Sequence, residues 1–133
     1  MSLRTALLLA ESDKPLDIDE IAVTDFVATY SGAFSNARRS INGDNRFMYN
    51  EYAVRRELAD AATKRMVLEG FVLPQLSQQG YTYSLTDRGM EYACSLNSPY
   101  ASEYRDAASF ALEYVGQAGT DKIIRRINRR KQD

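Results

Sequence analysis

The chain has 133 residues and a mass of 15.0 kDa, enough for one domain whose core needs no disulfide or metal staple. Hydrophobic residues make up 44% and charged residues 26%, which excludes disordered, collagen-like and membrane-embedded classes for the chain as a whole. The net charge of −1 hides an asymmetry: residues 121–133 hold six of the 17 Lys+Arg against two acids, a surplus of four, which leaves residues 1–120 at −5.

Residues 3–12 read as a short helix on the spacing of Leu3, Leu7 and Ala10, widened by Leu8 and Leu9 and broken by Lys14-Pro15. Its apolar run is too short, and too acidic at its exit, for a secretory segment, so the chain is expected in the cytoplasm. Residues 18–30 start a second helix. Asp17 with Glu20 forms a candidate capping box, and Leu16 with Ile21 a hydrophobic staple. Ile18, Ile21, Ala22, Asp25, Phe26 and Thr29 share one face, and Ser31-Gly32 ends the helix. Residues 31–48 are a polar loop, long for a compact domain, which carries Arg38, Arg39 and Arg46.

Residues 51–69 form a long helix with Asn50 as candidate cap and Gly70 at the end. Val54, Leu58, Ala61 or Ala62, and Met66 supply its expected buried stripe, with Arg55, Arg56, Lys64 and Arg65 turned partly or wholly away. Glu51–Arg55 and Asp60–Lys64 are favourable i,i+4 pairs. Residues 71–76 and 81–85 read as a β-hairpin turned by Ser77-Gln78-Gln79-Gly80, and Pro74, lacking a donor, belongs on an edge or bulge. Thr86 caps a helix over 87–96 that buries some of Met90, Ala93, Cys94 and Leu96, with Cys94 a small core residue. Ser98-Pro99 opens a helix with a stripe of Tyr100, Tyr104, Ala107 or Ala108, Ala111 and Val115. After Gly116–Gly119, Thr120 caps a last helix, 121–131, with Ile123, Ile124 and Ile127 on one face and basic residues over the rest.

Histidine is absent, and Cys94 is the single cysteine. Most acid–base, zinc and triad chemistry near neutral pH uses His, and one Cys permits neither an intrachain disulfide nor a thiolate cluster. Phosphate-loop and dinucleotide glycine patterns are missing too. The expectation is a protein that is not an enzyme and holds no cofactor or metal.

The helix 51–69 followed at once by the hairpin 71–85 has the layout of a winged helix. The phrases Leu68-Glu69-Gly70-Phe71-Val72 and Leu85-Thr86-Asp87-Arg88-Gly89 resemble winged-helix regulators of the MarR and PadR kind. That resemblance implies a major-groove role for helix 51–69, with Arg55 and Arg56 toward base edges and Lys64 and Arg65 toward phosphates. The charge argues otherwise, because a body at −5 does not attract a polyanion and the wing tip 77–80 has no cation.

A second resemblance spans roughly residues 16–115. Asp25-Phe26, the polar loop, Glu51 with Arg55-Arg56, Gly80-Tyr81-Thr82-Tyr83, Thr86-x-x-Gly89 and Leu96-x-Ser98-x-Tyr100-Ala101 resemble the small middle component of bacterial ABC-three-component systems, which include Lamassu-like antiviral modules. It implies a non-catalytic adaptor subunit beside an SMC-like or Rad50-like ATPase and an effector, in defence against invading DNA. Nine Tyr and no Trp suit such a partner-binding role, with Tyr49, Tyr52 and Tyr92 at stripe edges.

The sequence therefore predicts a mainly α fold with a small β-hairpin, a winged-helix-like domain over 1–120 with additional C-terminal helices, and a basic C-terminal helix or tail over 121–133. Its predicted role is an adaptor in an ATPase-containing, DNA-linked defence complex; the alternative is a dimeric winged-helix transcriptional regulator. Contacts to nucleic acid or partner are assigned to Arg38, Arg39, Arg55, Arg56, Lys64, Arg65, Arg125, Arg126, Arg129 and Arg130. DNA is contacted directly or through the complex, and no membrane is involved.

Overall fold

The computed structural model describes residues 1–41, 43 and 47–131. Arg46 and part of the expected loop 31–48 lie outside these residues. Six helices and one hairpin follow in the order α1 (Ser2–Glu11), α2 (Ile18–Thr29), α3 (Tyr52–Leu68), β1 (Val72–Ser77), β2 (Gly80–Leu85), α4 (Asp87–Ser95), α5 (Pro99–Ala118) and α6 (Thr120–Lys131), with short 3-10 turns at Ser31–Ala33 and Met48–Glu51. The fold is mainly helical with a small antiparallel sheet, the α+β, winged-helix-like arrangement expected.

α2 is the axle. Every residue from Ile21 to Thr29 is buried, because α1, α3, α5 and α6 all pack around it. The one-sided face expected of this helix is thus only part of its burial, since Val23, Val27 and Ala28 are covered as well. Its start is as the sequence predicts. The Asp17 carboxylate accepts from the Glu20 N–H at 2.7 Å, and the Asp17 N–H donates to Glu20 Oε1 at 3.1 Å. Thr86 and Ser98 cap α4 and α5 in the same way, accepting from Gly89 and Ala101 at 3.1 Å each.

α3 departs from expectation at its start and on its face. A 3-10 turn replaces the Asn50 cap, and no side chain caps the helix. Its buried residues are Tyr52, Ala59, Ala62, Thr63 and Met66, whereas Val54 and Leu58 are 60% and 51% exposed. Of the expected stripe Ala62 and Met66 are buried, and Tyr52 and Ala59 take the inward places expected of Val54 and Leu58.

The hairpin pairs Val72 with Leu85, Pro74 with Tyr83 and Ser77 with Gly80. Tyr83 donates its N–H to the Leu16 carbonyl at 2.8 Å and accepts from the Leu16 N–H at 3.0 Å, so both of its polar groups point away from β1. Pro74, opposite it, therefore aims its nitrogen at the free edge, where a missing donor weakens no ladder bond. On α4, Ala93 is buried but Met90 is 43% exposed and Cys94 is exposed, not a core residue, because the helix rests on the body by a narrow face. α5 buries the predicted alanine-rich stripe around Tyr104. α6 docks through Ile123 and Ile127 onto α2, α5 and the turn at Met48–Glu51. Among the described residues no helix is long and apolar enough to cross a membrane.

Candidate interaction surfaces

The basic residues fall into three groups, and the first is held inside. Arg55 donates from Nη1 to Asp25 Oδ2 at 3.0 Å and to Thr29 Oγ1 at 3.2 Å. Asp25 is fully buried and also accepts from Arg4 Nε at 3.0 Å and the Tyr104 hydroxyl at 2.6 Å. A carboxylate out of water is tolerable only when paired and hydrogen-bonded, and here two guanidiniums and a phenol do both. Burial, then the neighbouring Asp25 charge, pushes the Tyr104 hydroxyl well above its ordinary pKa, so it stays a donor. Tyr30 donates to Glu51 on the rim of this cluster. The network fastens α1, α2, α3 and α5 together, and it turns Arg55 away from any groove.

A second group is paired, from exposed Lys64, Arg65 and Arg130 to half-buried Arg38, Arg56 and Arg126. Arg56 Nε lies 2.7 Å from Asp19, Lys64 3.1 Å from Asp60 and Arg65 3.4 Å from Glu69. Arg38 lies 2.7 Å from Asp106 and 4.8 Å from the Phe110 ring centre. Arg126 covers Phe34 at 4.8 Å, and Arg130 lies 6.0 Å from the Tyr49 ring. These contacts order the side chains without removing them from the surface.

The third group is unpaired among the described residues. Arg39 stands out from the loop, and Lys122, Arg125 and Arg129 line the outer side of α6 at helical spacing. This cationic side of α6 lies opposite the buried isoleucines.

A different surface lies between the start of α2, α3 and the hairpin. Here an open groove of about 730 Å³ is lined by Ile18, Val67, Leu68, Pro74, Tyr81 and Tyr83, with the Asp19–Arg56 and Asp60–Lys64 pairs along its helical wall. Leu68 is 88% exposed, Leu76 74% and Tyr81 56%. The hairpin residues that share a face (Pro74, Leu76, Tyr81 and Tyr83) are all apolar or aromatic. Beneath the wall, Tyr52 is buried, so it is unavailable to a partner. Among the described residues its hydroxyl has no hydrogen-bond partner, and its pKa is pushed up to about 12, first by burial and then by Asp19. Tyr49 and Tyr92 remain half-exposed.

Sequence reasoning missed two elements of this geometry: the hub role of Asp25 and the exposure of the Val54–Leu58 stripe. An acid in the middle of an apolar helix was the available signal for the first. For the second, Ala62 and Met66 are buried as expected, but the stripe runs on through Tyr52 and Ala59 rather than Val54 and Leu58.

Among the described residues, no three His, Cys, Asp or Glu gather as a metal site would require. No curated protein and no solved structure matches the chain. Over residues 1–133 it matches the family described as ABC-three component system Middle Component 2. With a helical body, a hairpin and two surfaces of opposite chemistry arranged around α2, the chain belongs to that middle-component family.

Proposed function

We propose that the protein is a non-catalytic adaptor subunit that joins an SMC-like or Rad50-like ATPase to an effector within an ABC-three-component complex acting against foreign DNA in the cytoplasm. The observation that carries this reading is the chemistry of α3 and the hairpin. These are the elements that would straddle DNA in a winged-helix regulator, yet Val54, Leu58, Leu68, Leu76 and Tyr81 are exposed there. Arg55, which would have to read a base edge, is held on Asp25 instead. Aliphatic and aromatic exposure of this kind suits a protein partner, whereas a polyanion calls for free cations. Nucleic acid, where the complex meets it, is contacted by the outer side of α6 through Lys122, Arg125 and Arg129.

Recovery of the tagged chain from its native cells after nuclease treatment, read by mass spectrometry, tests the adaptor role. A large coiled-coil ATPase in stable proportion is expected. The chain recovered alone would end the reading. For the nucleic-acid contact, charge reversal of Arg125 and Arg129 to Glu is a cleaner probe than truncation, because deleting α6 also uncovers the seats of Ile123 and Ile127. The double reversal is expected to remove salt-sensitive DNA binding and leave the far-UV spectrum unchanged. Unchanged DNA affinity would clear α6 of the role.

A further inference from the structure

The outer stripe of α3 is self-complementary, and we infer that it pairs with the α3 of a second copy of this chain in an antiparallel, two-fold contact. The inference rests on the reading of this face as a protein-contact surface and adds its occupant. Val54, Leu58, Ala61, Arg65 and Leu68 recur at steps of four and three, the spacing of a helix–helix seam, and all of them face solvent. The seam's charges specify its direction. Parallel pairing would set Arg65 against the partner's Arg65. Antiparallel pairing about Ala61 sets Val54 against the partner's Leu68, and Leu58 against the aliphatic stem of the partner's Arg65.

The flank agrees. Glu57 and Lys64 lie seven residues apart on the same side of the seam, and antiparallel helices bring such positions face to face. Glu57 therefore meets the partner's Lys64, and the two-fold makes that contact twice. Glu57 is exposed and makes no ion pair among the described residues, while Lys64 has only the exposed Asp60 contact within its own helix. Ala61 sits on the axis, where its small side chain lets the two backbones approach. The groove and the apolar side of the hairpin lie beside the same helix, so Leu68 and Tyr81 are covered as the copies join.

Sedimentation of the full chain over a dilution series tests the pairing. A reversible dimer is expected. Glu57→Lys and Lys64→Glu should each weaken it about tenfold, since two attractive contacts become repulsive, and the double exchange should restore it. Leu58→Glu should give a monomer. Because that change could disturb folding, Ala61→Cys in a Cys94→Ser background is the second probe, and it should cross-link as a dimer on mild oxidation. A monomer at all concentrations, or a dimer that resists Leu58→Glu and fails to cross-link at Ala61→Cys, overturns the pairing. A monomeric chain that still recovers an ATPase would overturn the pairing alone and leave the adaptor role standing.

Discussion

Asp25 shows how a single side chain can set the interior. Its two oxygens take hydrogen bonds from three helices other than its own, through Arg4, Arg55 and Tyr104. Replacing it with Ala leaves two partly buried guanidiniums without their counter-charge. Asp25→Ala should lower unfolding free energy by about 3 kcal/mol in a urea titration. Arg55→Ala should also destabilise the fold. A regulator's base-reading arginine would instead be removable without loss of stability. Exposed Arg125→Ala, by contrast, should change stability by less than about 0.5 kcal/mol. The residues of this hub are plain in the sequence, but their meeting is not. Asp25 is 30 positions from Arg55 and 79 from Tyr104, and no local pattern links such distant partners.

At the scale of elements, what is local was legible. The capping box at Asp17, the caps at Thr86 and Ser98, the hairpin, and the breaks at Gly70 and Gly119 follow from neighbours three or four residues away. Gly89 adds a demand of its own. A Cβ placed there would lie 2.0 Å from the Phe71 carbonyl oxygen, the same oxygen that accepts from the Thr86 N–H. α4 leaves the hairpin so closely that only glycine fits in its first turn. Gly89→Ala should destabilise by at least about 3 kcal/mol, the upper range for forced overpacking, and thermal melting would show it. Facing was less legible than existence. α3 can continue a stripe from Ala62 and Met66 through Val54 and Leu58 or through Tyr52 and Ala59, and periodicity alone does not choose. Packing on the body decides, burying Tyr52 and Ala59 and leaving Val54 and Leu58 outside. Cys94 was misplaced, since α4 touches the body over a narrow face that buries Ala93 and leaves Cys94 outside.

The whole molecule responds to alkali through its tyrosines. Tyr30, Tyr52 and Tyr104 all have their hydroxyls raised above the ordinary value of 10, chiefly by burial. The folded chain therefore holds these protons more tightly than the unfolded one. That contribution is complete below pH 10 and is lost as pH rises toward the folded-state values. Unfolding free energy should fall steeply above about pH 10, with part of the tyrosinate absorbance appearing only as the chain unfolds. Titration of every tyrosine before any loss of helicity would contradict this. The basic C-terminal segment, read in the sequence as a helix with isoleucines on one face, is at this scale the helix whose Ile123 and Ile127 help close the core. Pro74 reaches further still. Because the outer edge of β1 presents a ring where one donor would be, a foreign strand laid along it would lack a backbone bond at its middle. That gap favours unions made by side chains on helices or on the hairpin's face. Where such a union is two-fold it closes on itself and stops, so the protein can be concentrated within a larger machine without being drawn into open-ended fibres.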